Sequence, residues 1–159
     1  MGFEMGDRPP FYQRIALGGL AGLRAAASPV AFGASAMVEN GSGQVLLVRH
    51  SYIHGWALPG GGVARREPPA QAVMRELQEE VGLRSDTAPE LFGLYTRKLG
   101  WTTNVIALYR VSEATIDFKP NFEIREVLFC DPGAPPPGTT DGTRRRLAEL
   151  TGAPRSHYW

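Results

Sequence analysis

The sequence predicts one domain of the α+β class, in which a mixed β-sheet carries a helix on each side. Five strand-like runs rich in β-branched and aromatic residues outnumber the helical patterns. Turn residues separate several of these runs closely enough for hairpins, which favours antiparallel neighbours within the sheet. The chain has 159 residues, about the length of one domain, and 43% of them are hydrophobic, enough for a packed core.

The N-terminal part is predicted to hold one helix and two strands. Phe11–Ala27 has apolar residues at helical spacing, which indicates a surface helix. Ala31–Val38 and Gln44–Arg49 are typical strands, and Asn40-Gly41 between them indicates a hairpin, because both residues tolerate positive φ. We therefore divide the chain into three regions: a helical N-terminal extension (1–29), the main domain (30–153) and a C-terminal tail (154–159).

The remaining elements alternate between helix and strand. A helical pattern runs from Pro68 to Val81 and stops at Gly82, a residue suited to a helix C-terminus. A last helix is predicted through Arg144–Leu150, capped by Thr140 or Asp141, with its three consecutive arginines on the solvated side. Three strands are predicted between the two helices: Glu90–Thr96, Asn104–Ser112 and Phe122–Cys130.

Composition narrows the class of function. The formal net charge of +1 offers no field that would attract nucleic acid or an anionic membrane, so neither is an expected partner. The single cysteine, Cys130, excludes an internal disulfide framework and favours a reducing, cytoplasmic compartment, where we expect it to be a buried strand residue. The apolar run Ile15–Leu23 and the uncharged run Ala25–Val38 are each too short for a membrane span, although a membrane-associated accessory protein anchored by residues 11–27 stays an alternative.

An acidic stripe on the Pro68–Val81 helix is the main chemical signal. At about 100° per residue, Glu79 and Glu80 fall within about 60° of Glu76 on either side. The stripe borders the apolar face instead of pointing away from it, and the glycine run 60–62 precedes the helix. A solvated charge run would explain the acidity alone. Carboxylates grouped in this way also suit Mg²⁺ bound beside substrate phosphates.

These residues closely resemble the Nudix box. In that box a glycine is followed after five residues by a glutamate, and after seven more by Arg-Glu-apolar-any-Glu-Glu-any-Gly-apolar. Here Gly61 is followed by Glu67, and Arg75-Glu76-Leu77-Gln78-Glu79-Glu80-Val81-Gly82-Leu83 completes the pattern at every specified position. The resemblance implies a Nudix-type α/β/α sandwich and a pyrophosphohydrolase that cleaves a diphosphate linkage in a nucleotide derivative.

The resemblance also implies roles for the box residues. Glu76, Glu79 and Glu80 would hold Mg²⁺, with Mn²⁺ as a substitute, and the Gly61 carbonyl would be a further ligand. Arg75 would orient the carboxylates, and Glu67 would support the helix entry. The general base in this family is a box glutamate or a glutamate on a later loop. The candidates here are Glu79 in the box and Glu123 and Glu126 downstream.

Residues outside the box are weaker predictions for substrate binding. Arg49 is a candidate phosphate ligand, with an ordinary surface arginine as the alternative. Trp56 would stack on a base or support the glycine-rich loop. Trp101, at the tip of a predicted hairpin, is expected to contact the substrate base from its own chain or across a homodimer interface. His50 and His54 are assigned to ordinary hydrogen-bonded loop positions.

The box does not identify the substrate. ADP-ribose hydrolases of this family have a downstream proline where this chain has Leu99, and dinucleoside polyphosphate hydrolases have a tyrosine where it has Gly100. Both of these substrate assignments are weakened, so a nucleoside triphosphate or a nucleotide sugar stays open as the substrate. The alternative function is a catalytically silent nucleotide sensor with this fold. Its usual sign is loss of box glutamates, and here all of them are present.

Overall fold

The computed structural model describes residues 29–159, so the helix predicted at Phe11–Ala27 lies outside the described residues. Eight strands and two helices occupy this part of the chain, and all eight strands precede the second helix. In chain order they are β1 (Val30–Val38), β2 (Val45–His50), β3 (Gly60–Gly62), α1 (Pro69–Val81), β4 (Leu83–Arg84), β5 (Glu90–Leu99), β6 (Thr102–Val111), β7 (Thr115–Ile116), β8 (Ile124–Cys130) and α2 (Asp141–Leu150).

The largest sheet is mixed, as the sequence predicts. Its strand order is β3-β1-β6-β5. β1 runs parallel to β6 over its whole length, whereas β3 and β5 pair antiparallel with their neighbours. β2 and β8 form a separate antiparallel pair, and so do the short strands β4 and β7.

The prediction of a hairpin between the first two strands is wrong: the turn is present, but the two strands do not pair with each other beyond it. Asn40 closes the turn by accepting side-chain hydrogen bonds from the backbone N–H groups of Ser42 and Gln44, both 3.0 Å. Beyond the single bridge between Glu39 and Val45, however, β1 and β2 enter different sheets. A turn signal is local, whereas β1 gains more by pairing along its full length with β6, a strand distant in sequence.

Two apolar clusters lie on opposite faces of the main sheet and confirm the sandwich architecture. α1 covers one face with Val73, Leu77 and Val81, which pack with β1, β6 and β2 side chains. α2 covers the other face through Leu147, which packs with Trp56, Leu58 and β-strand residues that include Met37, Tyr95, Leu108 and Cys130. Cys130 is buried in β8, as predicted, and its burial raises the pKa of its thiol.

The glycine run, predicted as a turn, also forms the short edge strand β3. Gly60 has φ 137°, and a side chain there would collide with the backbone of Ala34 and Ser35 in β1. Ala36 donates a backbone hydrogen bond to Pro59 (3.0 Å), which continues the contact before β3 begins. This close approach fixes the glycine run against β1 and directly beside α1.

The second helix begins at Asp141 with Thr140 as its N-cap, but its arginines are not all solvated. Arg146 is completely buried, so the prediction for this residue is wrong. It pairs with Glu149 at 2.7 Å, and its guanidinium lies 3.8 Å from the ring centroid of Tyr95. These partners compensate for the loss of hydration, and Tyr95 belongs to a distant strand that helical periodicity does not reveal.

The C-terminal tail (154–159) packs along the exposed edge of β5. Thr96 donates a backbone hydrogen bond to His157 and accepts one from Trp159, both 2.9 Å. The Trp159 ring then lies edge-on to Tyr95, at 6.0 Å between centroids. The tail therefore protects a sheet edge and places an indole beside α2. Within residues 29–159, neither helix is long and apolar enough to cross a membrane.

Candidate active site

Helix α1 presents the acidic stripe to the glycine-rich strand β3. Pro69 occupies the first turn, where its missing N–H costs no helical hydrogen bond. Gly82 ends the helix with φ 63° and donates its N–H to Gln78 at 3.1 Å. Since both ends are fixed and the apolar face is buried, the stripe is held at a constant position relative to β3.

Gly61 and Glu76 are in unusually close contact. A Cβ atom at Gly61 would lie 2.5 Å from the Glu76 carboxylate, so no other residue fits there without displacing it. The Glu76 side chain is only 14% exposed. The carboxylate and the backbone of Gly61 therefore form one oxygen-rich corner, as the resemblance implies for a metal site.

Arg75 connects the glutamates of this corner. Its guanidinium donates to Glu67 at 2.8 Å, to Glu76 at 2.9 Å and to Glu79 at 3.3 Å. It also donates to the Gly62 carbonyl at 3.1 Å. The hydrogen bonds from Arg75, followed by one from the backbone of Ala64, lower the pKa of Glu67 to about 2. Arg75 thus holds the three carboxylates in a defined orientation.

Glu80 is the buried member of the stripe, with 3% of its surface exposed. One carboxylate oxygen accepts a hydrogen bond from the Gly60 N–H at 2.9 Å, whereas Oε1 is buried without a partner. Burial raises the pKa of Glu80 to about 8, and nearby carboxylates add to the increase. A cation would reverse this effect by stabilising the charged form, so the residue fits the metal-ligand role.

Glu123 reaches the same corner from the loop before β8. Its carboxylate accepts a hydrogen bond from the Tyr52 hydroxyl at 2.9 Å. Burial and then this hydrogen bond raise the pKa of Tyr52 to about 12, so the hydroxyl stays a donor. A ring nitrogen of His50 and one carboxylate oxygen each from Glu80 and Glu123 lie within 4.8 Å of one another. Burial lowers the pKa of His50, which favours the neutral imidazole, against the opposing charge of Glu123.

Two further candidates, Arg49 and Glu126, occupy a different place. Arg49 and Glu126 face each other on β2 and β8 and form an ion pair at 3.2 Å. The Arg49 guanidinium also lies 4.3 Å from the ring centroid of Trp56, which is buried in the α2-side cluster. The structure thus joins these three residues to one another and brings only Glu123, of the two later glutamates, close to Glu80.

A cavity of about 530 Å³ opens beside the glycine strand. It lies on the sheet face that α2 covers, and Arg97 and Asn104 come to its wall from paired positions on β5 and β6. Trp159 forms part of the wall, a role that sequence reasoning missed because the tail carries no local signal. Trp101 is 92% exposed at the β5–β6 turn and does not line this cavity. Other lining residues include Gly61, His50, Tyr52 and Thr143.

Comparison with known proteins identifies a family whose model matches this chain and relatives with similar sequences. The family model described as the NUDIX domain matches residues 29–150. An RNA pyrophosphohydrolase from Tolumonas auensis is 51% identical over 50 residues, covering 31% of this chain and 29% of that protein. One from Shewanella sediminis is 44% identical over 65 residues, covering 41% and 36%. The chain therefore aligns with about a third of the length of these curated relatives.

Solved structures with low sequence identity share the fold. A MutT NUDIX hydrolase from Burkholderia pseudomallei has a TM-score of 0.68 at 22% identity, over 77% of this chain and 99% of that chain. A UDP-X diphosphatase has a TM-score of 0.63 at 17% identity, over 94% of this chain and 75% of that chain. The arrangement of sheets and helices described above is therefore common to these proteins.

Proposed function

Because this chain belongs to the NUDIX family, we propose that it is a divalent-cation-dependent hydrolase that cleaves a diphosphate linkage in a small nucleotide-type substrate. The corner around Gly61 carries this proposal. The Gly61 backbone in contact with Glu76, together with the buried Glu80, offers hard oxygen ligands at the edge of a cavity, and Arg75 donates a hydrogen bond to Glu76. Hard oxygen ligands suit Mg²⁺, and Mn²⁺ would substitute for it.

Each residue of the corner has a task in this proposal. Gly61, Glu76 and Glu80 would hold the cation, with Glu79 at the open side. A bound Mg²⁺ would neutralise the diphosphate and acidify a water molecule. Glu79, whose side chain is 61% exposed, would accept the proton of that water. Arg75 fixes the positions of Glu76 and Glu79 relative to each other by donating to both.

The cavity supports a substrate of nucleotide size. Its volume of about 530 Å³ falls within the usual range of roughly 300–1,000 Å³ for small-molecule sites. Asn104 offers an amide donor and an acceptor for a base edge, Arg97 offers a cation for phosphate, and Trp159 offers an apolar surface. Nucleoside triphosphates and nucleotide sugars are the two substrate classes that we propose.

A substrate panel tests this function. The purified full chain is incubated with Mg²⁺ and with nucleoside triphosphates, nucleotide sugars, ADP-ribose, dinucleoside polyphosphates and a 5′-triphosphorylated RNA. Products are separated as phosphate, pyrophosphate and mononucleotides. We expect hydrolysis of a triphosphate or a nucleotide sugar. The RNA tests the activity named for the curated relatives. Binding of a nucleotide with no hydrolysis of any substrate would indicate a silent sensor and contradict the proposal.

A further inference from the structure

His50, Glu80 and Glu123 come from three separate elements and meet at one point. His50 ends β2, Glu80 lies in the last turn of α1, and Glu123 immediately precedes β8. One ligand atom from each residue lies within 4.8 Å of the other two. Ligand bonds to a metal such as zinc are about 2.0–2.2 Å long, so two of them span roughly 4 Å. Where the atoms lie near the 4.8 Å limit, the side chains would have to move closer together for all three to bind one ion.

Two of the three side chains are buried with an unsatisfied polar atom. His50 is 6% exposed and Glu80 is 3% exposed. Nδ1 of His50 and Oε1 of Glu80 have no hydrogen-bond partner. Buried polar atoms are nearly always paired in folded proteins, and a site for an ion is one recognised explanation for exceptions. The pair of unpartnered atoms in one cluster therefore points to a ligand rather than to packing alone.

Hydrogen bonds fix the loop that carries Glu123 to the other two elements. Ser51, next to His50, donates its backbone N–H to the Glu123 carbonyl at 2.8 Å. Asn121 accepts the Glu123 N–H at 3.0 Å and donates to the Glu80 carbonyl at 3.2 Å. The Tyr52 hydroxyl also donates a hydrogen bond to the Glu123 carboxylate. These bonds set the relative positions of the three side chains before any ion binds.

We propose that a ring nitrogen of His50 is a ligand of the metal centre, beside Glu80 and Glu123, and that it makes this chain prefer first-row transition metals such as Mn²⁺ to Mg²⁺. Imidazole is a poor ligand for Mg²⁺, which takes oxygen donors, and a better one for transition-metal ions. Glu80 also accepts a hydrogen bond from the Gly60 N–H, next to Gly61, and His50 and Gly61 line the same cavity, so we place the His50 nitrogen at the same metal centre as the Gly61 corner. The proposal deepens the proposed function and rests on it for the presence of a metal centre.

Pulsed electron paramagnetic resonance of Mn²⁺ bound to the full chain, without nucleotide, tests the ligand directly. We expect a nitrogen coupling that changes when the histidines are labelled with ¹⁵N. His50→Phe, which keeps ring volume, and His50→Gln should both remove it. His54→Phe is the matched control, because His54 is an exposed histidine of the same segment. The native chain alone is decisive if a variant fails to fold, since absence of nitrogen coupling there would overturn the proposal.

Metal affinity provides a second readout. Replacing His50 should weaken Mn²⁺ binding at least about 10-fold, the lower end of the effect of losing a supporting group in a metal site, and leave Mg²⁺ binding nearly unchanged. Equal losses for both ions, or no loss for Mn²⁺, would contradict the preference. Nitrogen coupling without hydrolysis of any substrate would refute the proposed enzyme and keep the ligand. Hydrolysis with Mg²⁺ but no nitrogen coupling would support the proposed enzyme and refute His50 as a ligand.

Discussion

Glu79 and its neighbour Gln78 allow a test of proton transfer at the level of single residues. Glu79 is an exposed carboxylate of the acidic stripe that Arg75 orients, and it is proposed to accept the proton from water. Glu79→Gln should lower kcat at least about 100-fold, the scale of one positioned proton-transfer group. The midpoint of thermal unfolding should stay near the native value, because the side chain is exposed.

The control for Glu79 lies one residue earlier on the same helix. Gln78 is exposed and none of its side-chain atoms takes part in the corner around Gly61. Gln78→Ala should therefore keep native kcat and KM in steady-state assays. If Glu79→Gln turned over at a near-native rate, the proton would be transferred to another group, and Glu123→Gln would be the next variant to assay.

Glu80 gives stability a pH dependence in metal-free protein. Its pKa is about 8 in the folded chain, against 4.5 for an ordinary glutamate. Between these values the folded state keeps a proton that the unfolded state has lost, so this contribution to stability is lost as pH rises toward 8. In EDTA, native protein should lose on the order of a few kcal/mol more than Glu80→Gln between about pH 5 and about pH 8.

Urea denaturation at the two pH values measures this difference. Comparison of native protein with Glu80→Gln removes the contribution of other titrating groups, since both proteins share them. Excess Mg²⁺ should flatten the native dependence, because a bound cation favours the ionised carboxylate. Parallel dependences for the two proteins in EDTA would show that Glu80 is ionised in the folded chain.

At the scale of elements, the buried Arg146 holds α2 to the main sheet. Its guanidinium pairs with Glu149, lies over Tyr95 and donates to the Tyr158 carbonyl in the tail. Arg146→Ala would leave the buried Glu149 carboxylate without its cationic partner, which costs about 3–5 kcal/mol of unfolding free energy. Arg145→Ala, on the exposed side of the same helix, should cost less than about 1 kcal/mol. Equal losses in chemical denaturation would contradict this assignment.

The tail makes a prediction about substrate affinity. Trp159 lines the cavity, and stacking of a base on an aromatic ring contributes about 1–3 kcal/mol in single-strand binding proteins. Trp159→Ala should raise KM about 5-fold or more with kcat little changed, because stacking favours ground and transition states alike. Trp101→Ala is the comparison, since the earlier prediction for that residue now requires a partner chain.

Steady-state kinetics and the molar mass in solution separate the two tryptophans. A raised KM for Trp159→Ala alone would support the cavity wall proposed here. A raised KM for Trp101→Ala, in a protein that is dimeric in solution, would support base contact across an interface. Native KM for Trp159→Ala would contradict its role in binding and leave it as a packing residue of the α2 side.

Local patterns predicted the elements whose determinants are contiguous in the chain. The helix bearing the box follows from its own periodicity and from Gly82 at its end. The β5–β6 pair likewise follows from two runs joined by a short turn. The separation of β1 from β2 could not be predicted, because the competing partner of β1 is β6, far along the chain. Turn signals report local geometry and say little about which sheet a strand joins.

The candidate site divides in the same way. Gly61, Arg75 and the box glutamates lie in one segment, so their pattern was readable before the fold was known. His50 and Trp159 are separated from that segment and resemble ordinary loop and tail residues. Only the register of β2 with β8 and the docking of the tail on β5 bring them to the cavity. Their roles depend on tertiary contacts that no local spacing encodes.

At the scale of the whole molecule, the main sheet, the β2–β8 pair and the two helices place the carboxylate corner and the cavity at one edge. α1 supports the carboxylate corner from one face of the main sheet, and α2 with the tail closes the cavity from the other. The glycine strand β3 is part of both the carboxylate corner and the cavity, since Gly61 contacts Glu76 and also lines the cavity. A phosphate chain at the corner would thus leave the rest of a nucleotide over the α2-side wall.

Dependence of hydrolysis on a divalent cation is the most direct test of the central claim. Native full chain is treated with EDTA, and release of product from the best substrate of the panel is followed while Mg²⁺ or Mn²⁺ is added. The proposed function predicts no measurable hydrolysis in EDTA and full recovery with added cation, because the carboxylate corner acts through a bound ion. An undiminished rate in EDTA would contradict it.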